Sequence, residues 1–243
     1  MSDEVLEANI DHLVMISGKS STGKSASLMG LAFDEDRKPF PKEKQKKVLY
    51  LCTEAGKKLP FPNHFTTVNI IDPEQVVDAF EQLQEKLEEE PDAYSNVIID
   101  SQTFLMDQYE TQYVIYAENT MAGWSEFQQY WKRLVQEHVA RCPIPVIFTA
   151  HTADQLNKDE GVMECKIPVK GALKDKGIEA YFSCVISTKK VAIKDLKKYK
   201  SPLLNITKKE EELGFKYCFQ TQPTAKTKNE RIRSPMFMWA DGD

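Results

Sequence analysis

The 243-residue sequence predicts an α/β fold with a mainly parallel sheet, and three observations carry that reading. An apolar run, Leu13-Val-Met-Ile-Ser17, passes directly into Gly18-Lys-Ser-Ser-Thr-Gly-Lys-Ser25, the strand, glycine loop and helix start of a phosphate-binding unit. Short apolar runs of β-formers then alternate with helical periodicity, as crossovers between parallel strands require. One of those runs, Asn96-Val-Ile-Ile-Asp100, ends on an aspartate, where strand ends of open α/β sheets line a ligand crevice.

Composition narrows the possibilities. A chain of this length with 41% hydrophobic residues supports one good-sized core, expected over residues 1–222, with a basic C-terminal tail over 223–243. No apolar run approaches a membrane span, and residues 1–10 are acidic and polar, unlike a secretory leader. The expectation is therefore a soluble, cytoplasmic protein without membrane contact. Five scattered cysteines, odd in number and never in a C-x-x-C pair, argue against a disulfide framework or zinc site. The formal charge of −5 argues against coating nucleic acid through net charge, yet leaves local basic surfaces open. Residues 190–200 and 208–209 are the most basic, and a solvated face accounts for them.

In the loop, Gly18 and Gly23 permit close backbone approach, so that successive N–H groups curl around phosphates. Residues Gly18, Lys19, Ser20, Ser21, Thr22, Gly23, Lys24, Ser25 and Ala26 are the expected nucleotide contacts. Lys24 can reach the β- and γ-phosphate oxygens, and the Ser25 hydroxyl can serve Mg²⁺. A helix expected over 25–33 would turn its positive end to the same anion.

Further along, residues 34–47 are charged, hold two prolines and read as an exposed connection. Residues 48–53 predict a buried strand ending at Glu54, and 66–71 a shorter one. Val76, Val77, Phe80, Leu83 and Leu87 predict an amphipathic helix between Pro73 and Pro91. Asp100 is suited to hold Mg²⁺ or a metal-bound water, or to cap the helix that follows; the upstream loop favours the metal. Residues 102–121 read as helical, Gly123-Trp124 as a break, and 124–139 as a further helix. The tyrosines there are assigned chiefly to the core. Residues 145–152 form a strand that brings His151 near the γ-phosphate, as a sensor or as a structural hydrogen-bonder; His12, His64 and His138 receive no functional role. Residues 153–177 carry no confident strand or helix, but hold Lys158, Lys166, Lys170, Lys174 and Lys176, a candidate nucleic-acid contact. Residues 183–187 return to the sheet, and 203–207 and 215–221 suggest short antiparallel strands.

In this order the chain resembles the RecA-like recombinase ATPases, most closely the short phage-encoded ATP-binding proteins of the Sak-four group. The resemblance rests on residues 18–25, Leu51-Cys-Thr-Glu54, Val97-Ile-Ile-Asp100-Ser101, Gly123-Trp124, Phe148-Thr-Ala-His151-Thr152, Ile167-Pro-Val-Lys-Gly171 and Arg231-Ile-Arg-Ser-Pro-Met236. It implies a RecA-like P-loop core that uses ATP and Mg²⁺, with Lys24, Glu54 and His151 in catalytic roles and Ser25 and Asp100 at the metal. Glu54 would orient or deprotonate the attacking water; spacing alone leaves an exposed loop charge equally open. The resemblance also implies single-stranded DNA contact through 153–177 and near 107–123, and a homo-oligomer on DNA in which Lys189, Lys190, Arg231 or Arg233 completes a neighbour's site. A single-strand-binding protein is a further implied partner, and a phage-infected bacterial cytoplasm the implied setting. The chain shows no counterpart of the N-terminal helical domain or linker strand through which larger recombinases polymerise.

The function expected is therefore a DNA-dependent ATPase that promotes strand annealing or exchange. One rival is a nucleotide kinase, disfavoured because residues 153–177 contain no arginine for a lid. A second is an ATP-dependent switch with little hydrolysis, and a third a helicase or packaging motor, for which no separate translocation domain is visible.

Overall fold

A computed structural model describes residues 13–243 except 35, 45, 159, 172, 237 and 241. The reading of residues 1–10 and of His12 lies outside the described residues. In chain order the elements are β1 (Leu13–Gly18), α1 (Lys24–Ser27), β2 (Val48–Cys52), β3 (Thr66–Asn69), α2 (Glu74–Glu89), β4 (Asn96–Asp100) and α3 (Gln102–Tyr109). There follow α4 (Thr120–Lys132), β5 (Val146–His151), β6 (Ala153–Asn157), β7 (Val162–Lys166), α5 (Leu173–Lys176), β8 (Cys184–Ala192), α6 (Ile193–Leu196), α7 (Lys208–Leu213) and β9 (Phe215–Gln220).

Seven strands form one sheet in the order β3-β2-β4-β5-β1-β8-β9, parallel throughout except where β9 runs antiparallel to β8. Alternation along each strand sends side chains to opposite faces, and both faces are covered. Leu49, Leu51, Val97, Ile99 and Phe148 pack with α2, α3 and α4 through Phe80, Leu105 and Trp131. Val48, Tyr50, Cys52, Ile98 and Ile186 form a second, smaller core with Leu28, Phe61 and Phe65. The result is a three-layer α/β P-loop fold with a short antiparallel C-terminal edge.

Several expectations are corrected. The helix after the glycine loop is one α-turn, 24–27, followed by a 3₁₀ turn at Leu28–Leu31, not a helix to residue 33. Gly123-Trp124 does not interrupt a helix: α4 runs through both from its Asn119 cap, whose side chain accepts hydrogen bonds from Met121 N and Ala122 N. Glycine is needed there for packing, because a β-carbon on Gly123 would lie 3.2 Å from Val114 Cα. Residues 107–123 are thus mostly helical, with α3 continuing as a π-helical stretch to Val114. Within 153–177 the described residues form the β6–β7 hairpin and the short α5. Its strands pack on no core face, and their side chains are partly or fully exposed on both sides, so no period marked them. Residues 203–207 form no strand, whereas 208–213 form α7, started by a capping box between Thr207 and Glu210.

Candidate nucleotide site

The C-terminal ends of β1, β2, β4, β5 and the middle of β8 lie side by side along one sheet edge. The glycine loop leaves β1 at Gly18, where a β-carbon would collide with the Thr188 hydroxyl on β8 and lie 2.7 Å from Thr22 Oγ1. Thr22 is fixed in turn, its hydroxyl donating to Lys19 O at 2.7 Å and pairing with Thr188 Oγ1 at 2.7 Å. Ser21 at φ 61° and Gly23 at φ 99° adopt left-handed backbone, which curls the loop around the space that a phosphate would fill. Lys19 and Ser20 are exposed, Lys19 pairing with Asp154 of β6 at 2.6 Å; Ser25 is half-buried and Ala26 exposed.

Lys24 is 7% exposed and points back into this loop. Its ammonium donates to Gly18 O and Lys19 O at 3.0 Å each and stands 3.3 Å from His151 Nδ1. Two of these partners are neutral backbone carbonyls. Burial pushes the Lys24 pKa down to about 8, against the upward pull of the Asp100 and Glu54 carboxylates. An ammonium held among carbonyls in a cradle of backbone N–H groups suits a polyphosphate, which would supply the missing negative charge.

Asp100 ends β4 and is 2% exposed. Its carboxylate accepts from Tyr50 Oη at 2.8 Å and from the Thr149 hydroxyl. Glu54 follows β2 on a framed backbone. Thr53 N donates to Asp100 O at 2.9 Å, Thr53 Oγ1 donates to Ser101 O at 2.7 Å, and Ser101 N donates back to Thr53 Oγ1 at 2.8 Å. Gln108 of α3 adds a hydrogen bond to Thr53 O at 3.0 Å. A turn through Ala55 and Gly56 returns Lys57 onto Glu54, with Nζ 2.5 Å from Oε2. His151 Nε2 stands 3.7 Å from the other oxygen. His151 and Lys57 together hold the Glu54 carboxyl down at about 2, although its burial works the other way. The side chain is 8% exposed.

Of the residues singled out in the sequence, Lys24, Glu54 and His151 therefore meet, and Asp100 shares the framed strand end with Glu54. The basic residues considered for a neighbour's site divide. Lys189 pairs with Glu230, Arg231 lies 3.6 Å from Glu179, and the Arg233 guanidinium donates to Glu179 O. Lys190 is exposed, its ammonium 3.8 Å from the centre of the Phe215 ring. Sequence reasoning missed Thr53, Lys57, Gln108 and Thr188. A polar residue beside Glu54 and a lysine three residues on were visible in the sequence, but the framing of Thr53 against β4 and the reach of Thr188 to the loop arise only in three dimensions.

Fold and loop together define a P-loop nucleotide-binding protein. The family follows from comparison: a model described as an AAA domain matches residues 11–229, and the chain belongs to that family of ATPase-type domains. No curated protein matches the chain. Among the described residues no helix is long and apolar enough to cross a membrane.

Proposed function

We propose that the chain is a Mg²⁺-dependent, RecA-like ATPase that binds single-stranded DNA and promotes annealing or strand exchange, as a phage-encoded recombination protein in the host cytoplasm. The observation that carries the ATPase part is the position of Glu54, buried at the end of β2 and within ion-pair reach of a histidine that touches Lys24. In this reading the loop and Lys24 hold the triphosphate. Ser25 and Asp100 hold Mg²⁺ together with phosphate and water, as that small cation prefers. The bound cation would supply charge neutralisation at the phosphates. Glu54 stays ionised at neutral pH and accepts a hydrogen bond from the attacking water, fixing its direction.

The DNA part draws on the resemblance and on placement. The β6–β7 hairpin starts two residues after His151 and is tied to the phosphate loop through Asp154 and Lys19. Lys158 and Lys174 are exposed there, whereas Lys166 and Lys170 pair with Glu164 and Glu110. Tyr116, 80% exposed at the α3–α4 connection, offers a ring for base stacking. In a homo-oligomer, Lys190 is the exposed candidate to reach a neighbour's nucleotide, and a single-strand-binding protein is a further partner. The core over 1–222 and tail over 223–243 belong to the same proposal.

A second reading, an ATP-dependent switch with little turnover, is favoured by the Lys57–Glu54 pair, which occupies the carboxylate that would otherwise face water. One experiment separates the readings: ATP hydrolysis with and without single-stranded DNA, at low and high salt, with Lys24→Ala as the blank. Stimulation by single strands that fades with salt supports the recombinase. ATP binding without turnover under any condition favours the switch.

A further inference from the structure

β8 does not stop at the phosphate loop. Beyond Thr188 it continues to Ala192, paired with β9, so that a two-stranded ribbon extends along the sheet edge past Gly18. The register places Thr188 opposite Phe219, Lys190 opposite Tyr217 and Ala192 opposite Phe215. Directly opposed residues share a face, so one side of the ribbon presents Thr188, Lys190, Phe215, Tyr217 and Phe219. It is the side turned to the phosphate loop, because the Thr188 hydroxyl touches Thr22 and a β-carbon on Gly23 would lie 3.7 Å from Tyr217 Cδ1.

Tyr217 is 51% exposed despite this contact, and Phe219 is 45% exposed. Phe215 stands edge-on to Tyr217, ring centres 5.7 Å apart, and Lys190 covers the Phe215 ring. Tyr217 is thus braced on one side by Phe215 and lies against the loop at Gly23, and its open area borders the site at which a bound polyphosphate would begin.

We propose that this ribbon face is the nucleobase wall of the site, with Tyr217 stacking on the base of the nucleotide whose phosphates occupy the loop. A tyrosine face stacks on any base and gains most from the larger purines, so the wall favours purine nucleotides without reading their hydrogen-bonding edges. The proposal rests on the phosphate-loop reading above.

The test is binding of Mg²⁺-ATP and of Mg²⁺-tripolyphosphate, which has the phosphates and no base, to the full chain and to Tyr217→Ala, Tyr217→Phe and Lys24→Ala. Tyr217→Ala is expected to weaken ATP binding by about fivefold to 100-fold, the range that base stacking is worth, and to leave tripolyphosphate within about twofold on the same grounds. Tyr217→Phe keeps the ring and should bind ATP like the parent. Undiminished ATP binding by Tyr217→Ala overturns the wall. So does an equal loss of ATP and tripolyphosphate, which makes the ring a prop for the loop. Retention of both ligands by Lys24→Ala instead overturns the phosphate-loop reading, and the wall with it.

Discussion

His151 and Glu54 face each other across the crevice, Nε2 3.7 Å from Oε1, while the other nitrogen of the ring stands 3.3 Å from Lys24 Nζ. An ammonium can only donate, so Nδ1 accepts from it and a neutral ring carries its proton on Nε2, directed at Glu54. The histidine thereby links the residue proposed to hold phosphate to the residue proposed to direct water. In the proposed function, phosphate that drew Lys24 away would take the donor from Nδ1, and the constraint on Glu54 would change in the same event.

Glu54→Gln keeps the size of the side chain and removes the charge. Turnover of ATP should fall by about 10²–10⁴-fold, the usual worth of a positioned acid–base group, with ATP binding nearly unchanged. Single-turnover hydrolysis and equilibrium binding on the same preparation check this, and unchanged turnover would remove Glu54 from the mechanism.

Lys57→Ala tests what sets the charge of Glu54. The carboxyl, held at about 2 by His151 and Lys57, should rise toward its ordinary 4.5 when Lys57 is lost. Hydrolysis that needs the ionised form then fails at a higher pH, and the acid limb of the pH–rate profile moves up. A profile that superimposes on the parent's would show that Lys57 does not control Glu54.

Lys24 gives a prediction of opposite sense. Its ammonium has a folded pKa of about 8 against an ordinary 10.5, so between these values the unfolded chain binds more protons and the contribution of Lys24 to stability rises with pH. Thermal melts of the nucleotide-free chain and Lys24→Met should therefore diverge in favour of the parent from pH 8 to pH 10. A constant difference across that window would contradict the burial of the charged form.

Gly123→Val places two methyl groups against the backbone of the preceding π-helical stretch. A loss of about 1–3 kcal/mol is expected, as for other overpacked sites, read by chemical denaturation. Gly30→Ala is the control, since a β-carbon there meets nothing within 4 Å, and it should be neutral or slightly stabilising.

What the sequence disclosed depended on how local the cause was. The strand–loop–lysine unit at 13–25 is written in contiguous residues, and all five apolar positions named for α2 are buried. The helix after the loop is shorter than its composition predicts, because the backbone tightens to 3₁₀ after Ser27. Gly123 has the sequence look of a breaker, although its missing side chain serves a contact with Val114 that no pattern announces. The Thr207–Glu210 cap is local as well, a threonine followed three residues on by a glutamate. The β6–β7 hairpin gave no signal, since neither face is buried enough to impose a period. Placement of Asp100 and Glu54 at strand ends followed from runs of β-formers, but their coupling through Thr53 and Ser101 depends on the register of β2 against β4.

The position of β1 has a consequence for how the molecule is made. Among the described residues the strand that carries the phosphate loop comes first, yet its neighbours are β5, with Leu13 beside Val146, and β8, with Val14 beside Cys184. On the ribosome its emerged backbone therefore waits for these two neighbours until residues 146–151 and 184–187 have followed, a long-range closure of the kind that slows folding. Thr188, which braces the loop, arrives later still. Nucleotide thus cannot template the nascent chain early; it can reward only a sheet that is already nearly complete.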